Sequence, residues 1–187
     1  MPDLPRTITI IRHAEKLIGS DPPFGVTEEG HHSPFSLTPL GWQRAGALAL
    51  RFDSDEMPAP FVRPSALFAP KYPDGLPHRP QETITPLARK LGLNIDLSKQ
   101  KEETGAFVKD VLLGQTGQDV LVCWEHHHIP PLVAALAPAL GLATENIPPC
   151  GLIWPDNDFS SVLVFAAQEG GGYTATQVGE KVLSGDS

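Results

Sequence analysis

Cysteine is scarce in this 187-residue chain, with Cys123 and Cys150 the only two. Two thiols cannot build a disulfide framework, which excludes a small fold organised by disulfides. Basic residues are also outnumbered. There are 14 Lys and Arg against 22 Asp and Glu, a formal net charge of −8. A general nucleic-acid binder would need a basic face, so no nucleic-acid partner is expected. A local positive pocket remains compatible with an acidic protein. Long apolar runs are missing as well. The softest stretch, Leu132 to Ala143, is interrupted by Pro138 and Gly141 and is too short to span a bilayer. The opening residues Met1 to Arg6 hold no apolar signal core. These absences point to a cytoplasmic protein with no membrane partner.

What is present suits one hydrophobic core. Apolar residues make up 41% and charged residues 19% of the chain, within the globular range. A single domain is expected over 1–187, with its core at about 6–168 and a flexible Gly- and Ser-rich tail. Thr7 to Ile11 is β-branched and reads as a buried strand. Residues 19–36 form a loop rich in Pro and Gly. Thr38 fits a helix N-cap and Pro39 the first helical position, with the helix running to about Phe52. Ala66 to Ala69 is a short strand. A helix follows from about Gln81 to Leu91, kinked or split at Pro86 with Thr85 capping the second piece, and Gly92 stops it. Glu103 to Leu113 reads as a helix, Asp119 to Trp124 as a second buried strand, Pro130 to Leu140 as a helix and Ser161 to Ala166 as a strand. Tyr173 to Val178 is a candidate edge strand. Strands alternating with helices favour a three-layer α/β/α sandwich around a mostly parallel sheet.

Two strands end in histidine, at Arg12-His13 and at Glu125-His126. Open α/β sheets gather their ligands at the carboxyl ends of strands. Phosphoryl transfer suits these residue types. Arg offers a rigid, permanently charged fork to phosphate oxygens. Neutral His is a nucleophile, and protonated His is a hydrogen-bond donor.

At this point the sequence resembles the histidine phosphatase superfamily, the phosphoglycerate mutase-like proteins. The resemblance rests on four blocks in order. They are Ile10-Ile11-Arg12-His13-Ala14-Glu15-Lys16, with Ala in place of the usual Gly; Leu37-Thr38-Pro39-Leu40-Gly41; Arg79 with Thr83 four residues on; and Val120 to His126. It covers about residues 7–166. It implies a phosphoglycerate mutase-like fold and a metal-independent phosphohydrolase without cofactor. His13 would be the nucleophile that becomes phosphohistidine, Arg12 and Arg79 would bind phosphate oxygens, and His126 would complete the pocket. The substrate would be a phosphorylated small molecule or a phosphoprotein. Two departures reshape the mouth: His127 replaces the usual Gly, and an insertion runs from Ala69-Pro70 through His78. Relatives in one branch keep a general-acid Glu between the third and fourth blocks, which directs attention to Glu103, with Glu102 beside it.

Other readings of the same residues are a phosphoglycerate mutase-type phosphotransferase and a non-catalytic phosphate- or phosphohistidine-binding module. The His126-His127-His128 run, with His31 and His32, also has a reading as a metal site. Successive side chains on an extended segment point opposite ways, and neither an H-E-x-x-H motif nor a Cys pair accompanies the run, so no metal is expected. Glu15 and Lys16 read as a local ion pair. Cys123 reads as buried rather than nucleophilic.

Overall fold

Alternating apolar side chains on β1 (Thr7–Arg12) and β4 (Asp119–Trp124) bury both faces of a central sheet. The structure, a computed structural model, describes residues 4–186. The other elements are α1 (Pro39–Arg51), β2 (Ala66–Phe68), α2 (Arg79–Leu91), β3 (Ile95–Asp96), α3 (Thr104–Asp110), α4 (Ile129–Ala139), α5 (Pro149–Leu152), β5 (Ser161–Ala167) and β6 (Tyr173–Gly179). The six strands lie in the order β3-β2-β4-β1-β5-β6. Strands β1 to β4 pair in parallel, and β5 runs antiparallel to both neighbours.

Period-2 alternation sorts the core into two layers. Ile8, Ile10, Val120, Val122 and Trp124 pack on Phe107 of α3 and on Leu132 and Leu136 of α4. Ile11, Leu121, Cys123, Val162 and Val164 pack on Leu48 of α1, on Phe52 just after it, and on Ile84 and Leu87 of α2. This is the expected three-layer sandwich with a mostly parallel sheet.

Three local features differ from the sequence reading. Helix α2 begins at Arg79 and runs unbroken through Pro86. Thr85 Oγ1 donates to the Gln81 carbonyl instead of capping a second helix. Pro86 withholds one N–H, and the tertiary packing of Ile84, Leu87 and Ala88 holds the helix together regardless. Helix α3 stops at Asp110, and Leu112–Gly114 continues as a 3-10 turn. Strand β3 is only two residues long, a length at which no period shows.

The N-cap reading at Thr38 holds, with its hydroxyl accepting from the Gly41 amide at 3.3 Å. Gly41 is needed for proximity, since a Cβ there would lie 2.5 Å from the Glu15 carbonyl oxygen. That carbonyl also accepts from the Thr38 amide at 3.0 Å. The Leu-Thr-x-x-Gly block therefore clamps the segment just after His13.

The C-terminal segment is tied down rather than free. Past β6, Asp186 returns to α1 and accepts from Arg44 at 2.7 and 3.0 Å. Arg44 also donates to Glu15 at 2.8 Å and to Glu180 at 2.9 Å. Glu15 thus pairs with Arg44 rather than with Lys16. Three carboxylates share one buried guanidinium, and Glu180 Oε2 is buried without a partner. Burial raises the Glu180 carboxyl to about 8, against the pull of Arg44, with Asp186 and Glu15 raising it further. Between the ordinary carboxylate range and about pH 8 the folded state therefore holds a proton that the unfolded chain has lost. This contribution is complete below that window and disappears as pH rises through it, at up to about 1.4 kcal/mol per pH unit. The depressed carboxyl of Asp186 works in the opposite sense, but at more acid pH. We expect Glu180→Gln to match wild type near pH 5 and to exceed it by roughly 2–4 kcal/mol at pH 8. Urea unfolding at both pH values measures this. Parallel stability profiles would mean that Glu180 is ionised throughout.

Candidate active site

The parallel register sets Arg12 opposite Trp124, and the His13 amide donates to the Trp124 carbonyl at 3.1 Å. Two strands therefore end side by side and carry His13 and His126 into one site. Their ring centroids lie 6.3 Å apart in an edge-on arrangement. Both residues are buried.

His13 Nδ1 lies 2.7 Å from the Ala14 carbonyl. A carbonyl only accepts, so Nδ1 carries the proton and Nε2 keeps its lone pair. Burial holds the imidazole well below its usual range, and Arg79, Arg12 and Lys16 add to that lowering against the opposing Ala14 bond. The ring is neutral, with a fixed tautomer and a lone pair on Nε2. The Ala14 amide donates in turn to Thr83 Oγ1 at 2.9 Å, and that hydroxyl donates to the Arg79 carbonyl at 2.7 Å. Thr83 ties the His13 segment to the start of α2, a physical account of the Arg79–Thr83 spacing.

Arg12 is buried beneath the site with its guanidinium 3.9 Å from the Phe159 ring centroid. Its Nη1 donates to the carbonyls of Pro155, Asp156 and Asp158 at 3.1, 2.7 and 3.0 Å. Its Nε and Nη2 are buried without partners. Buried N–H donors are rarely left unmet, and two on one cationic edge suit two oxygens of one anion. Burial lowers the Arg12 guanidinium to about 10, so it stays charged at neutral pH.

Arg79 completes the cationic side. Its field acts on both Arg12 and His13, and its Nη1 donates to the Pro34 carbonyl at 3.0 Å. Lys16 is drawn in too: desolvation lowers its ammonium, and the fields of Arg12 and Arg79 lower it further. Its only sequence signal was its place three residues after His13.

His126 Nε2 lies 2.8 Å from Asp156 Oδ1, while Nδ1 is buried without a partner. Burial first, then Arg12, lowers this imidazole to about 4 against the opposing Asp156 bond. The sequence reading missed Asp156, which stands on the α5–β5 loop with no motif around it. Arg12 brings it in by gripping that loop's carbonyls.

Glu103 is not brought to this cluster. It is exposed at the start of α3, and its carboxylate accepts from the Gln100 amide at 2.8 Å. Glu102 is exposed beside Lys101. Glu125 lies at the end of β4 but is held by the Tyr72 hydroxyl at 2.6 Å and Lys101 Nζ at 3.2 Å. Cys123 is buried, and desolvation pushes its thiol well up, which removes it as a nucleophile. The insertion before Arg79 packs as a wall, with Tyr72 stacked on His78 at 3.7 Å and Phe35 on its other flank at 5.0 Å. None of the described helices is long and apolar enough to cross a membrane.

A scan against protein-family models and a search of curated proteins gave no match. Solved structures do match. One is a phosphoserine phosphatase variant from Entamoeba histolytica in complex with phosphoserine. It has a TM-score of 0.53 and 10% identity over 94% of this chain and 97% of that one. Another is phosphoserine phosphatase from the same organism in complex with 3-phosphoglyceric acid, with a TM-score of 0.53 and 12% identity over 91% and 94% of the two chains. At such identities the likeness establishes the fold alone, a phosphoglycerate mutase-like α/β sandwich.

Proposed function

We propose that this chain, built on the histidine phosphatase fold, is a metal-independent phosphohydrolase that acts on a phosphomonoester through a phosphohistidine. The observation that carries this reading is the pairing of a neutral His13, whose Nε2 lone pair is free, with two unmet N–H donors on the buried Arg12. The structural neighbours bound to phosphoserine and 3-phosphoglyceric acid support the same chemistry.

In the first step the His13 Nε2 lone pair attacks phosphorus, the N–P bond forms, and the P–O bond to the leaving group breaks. The departing oxygen takes one proton, which a monoanionic ester brings on its phosphoryl group. In the second step a water oxygen attacks phosphorus, the N–P bond breaks, its electrons return to His13, and the water's proton passes through Asp156 to the released phosphate. Arg12 and Arg79 hold the equatorial oxygens as charge builds, and His126 completes the pocket while its Nε2 keeps Asp156 in place. Fixed cations in a desolvated site carry the stabilisation that a metal ion supplies elsewhere.

Asp156 is the carboxylate that touches this cluster; its bond to His126 holds it below the ordinary carboxylate range, so it is ionised in the free site, and we assign it the relay of the substrate's proton to the leaving oxygen in place of Glu103. An aryl phosphate has a good leaving group and needs that proton less than an alkyl phosphate does. Asp156→Asn is therefore expected to lower kcat/KM for an alkyl phosphate by roughly 10²-fold or more, and for an aryl phosphate by much less. Glu103→Gln is expected to stay within about threefold on both substrates, because its carboxylate is spent on a backbone amide. The reverse pattern in steady-state kinetics would return the role to Glu103.

The reading as a whole is tested by aryl phosphate hydrolysis with EDTA present throughout. Saturable turnover inhibited by inorganic phosphate supports it. Turnover that requires an added divalent ion overturns it.

A further inference from the structure

The three-histidine segment is a turn, not an extended run whose successive side chains point opposite ways. The His128 and Ile129 amides both donate to the Glu125 carbonyl, at 2.9 and 3.1 Å. The turn sets the His126 and His127 rings side by side, with centroids 3.8 Å apart. The third ring is turned away, with His128 Nδ1 3.5 Å from Glu125. Asp156 arrives from the α5–β5 loop. Its Oδ1 is 2.8 Å from His126 Nε2 and 3.9 Å from His127 Nε2. One ligand atom from each of the three residues falls within a 4.8 Å span.

We infer that His126, His127 and Asp156 form a zinc site that switches the proposed phosphatase off. Two imidazoles and one carboxylate are a common zinc donor set, and nitrogen donors disfavour magnesium and calcium. In a tetrahedral zinc site neighbouring ligand atoms lie about 3.3 Å apart, between the two distances from Asp156 Oδ1. Small rotations close the set, because His127 and Asp156 are exposed while His126 is fixed by burial. Arg12 braces the third ligand by gripping the Asp156 carbonyl at 2.7 Å. A fourth position stays open to water or to a phosphate oxygen.

The site rests on this geometry alone. Its effect on turnover rests on the proposed phosphatase reading, in which the bound ion takes His126 and Asp156 away from substrate. Zinc binding is measured directly, by competition with a chromophoric zinc chelator on protein stripped with EDTA and then freed of it. Wild type should withdraw one equivalent of zinc. His127→Ala, a change at an exposed ring outside the proposed machinery, should weaken that binding at least tenfold while leaving zinc-free aryl phosphate turnover unchanged. Zinc at one equivalent should stop wild-type turnover, EDTA should restore it, and the variant should keep working at the same zinc level. Equal affinity in wild type and variant, or no withdrawal of zinc from the chelator, overturns the site. Zinc held through His127 with turnover intact overturns the switch. If the zinc-free protein has no turnover, the phosphatase reading fails while the chelator titration still decides the site.

Discussion

His13→Ala should lose phosphatase turnover by roughly 10⁴-fold or more while keeping the fold. The chemistry gives the size of the effect. Among the described residues, His13 is the neutral imidazole whose tautomer is fixed with Nε2 free and which lies in the field of Arg12, Arg79 and Lys16. Water would have to replace it at phosphorus directly, without the covalent step that divides the reaction. The fold should survive because the side-chain bond lost is to the adjacent Ala14 carbonyl, while the His13 amide keeps its bond to Trp124. Two measurements separate chemistry from folding. Circular dichroism and the unfolding midpoint should change little. Wild type quenched in base during turnover should carry an acid-labile phosphoryl group that the variant lacks. An active variant, or labelled variant protein, would remove His13 from the nucleophile role.

How much of this site the sequence disclosed depends on how each residue reaches it. His13 and His126 were legible because each ends a β-branched, buried strand, and parallel pairing of Arg12 with Trp124 brings strand ends together. Arg79 was legible through its spacing to Thr83, which the structure explains as a hydroxyl bridging α2 and the Ala14 amide. Asp156 was not legible. It sits in an irregular loop 30 residues past His126, and tertiary contacts from Arg12 to three carbonyls and from His126 to its carboxylate fix it. Glu15 was assigned to its sequence neighbour Lys16, but the buried partner is Arg44, 29 residues away. Helix α2 shows the same limit on local reasoning. Pro86 is a breaker by propensity, yet Leu87 and Ala88 bury against the sheet and the helix persists. The Glu103 assignment came from family position alone, and position alone did not determine where its carboxylate would bond.

The second large effect is expected at Arg12, and the informative change is to Lys. Lys keeps the positive charge but replaces a rigid fork with one ammonium. In wild type a single nitrogen, Nη1, serves the carbonyls of Pro155, Asp156 and Asp158, which leaves Nε and Nη2 for an anion. A lysine nitrogen cannot do both jobs. If it holds the loop, the phosphate loses two charge-assisted donors. If it turns to the phosphate, the loop carbonyls lose theirs, and Asp156 is released from His126. Either way Arg12→Lys should lower kcat/KM by roughly 10²–10³-fold, the range found when a fixed donor to a developing oxyanion is removed. It should also raise the inhibition constant of inorganic phosphate at least tenfold, since ground-state binding uses the same two donors. Steady-state kinetics with phosphate as competitor reads both quantities. Unchanged phosphate inhibition with lost stability would make Arg12 a clamp for the 155–158 loop. Unchanged phosphate inhibition with intact stability would leave the two unmet donors of Arg12 without an anion to serve.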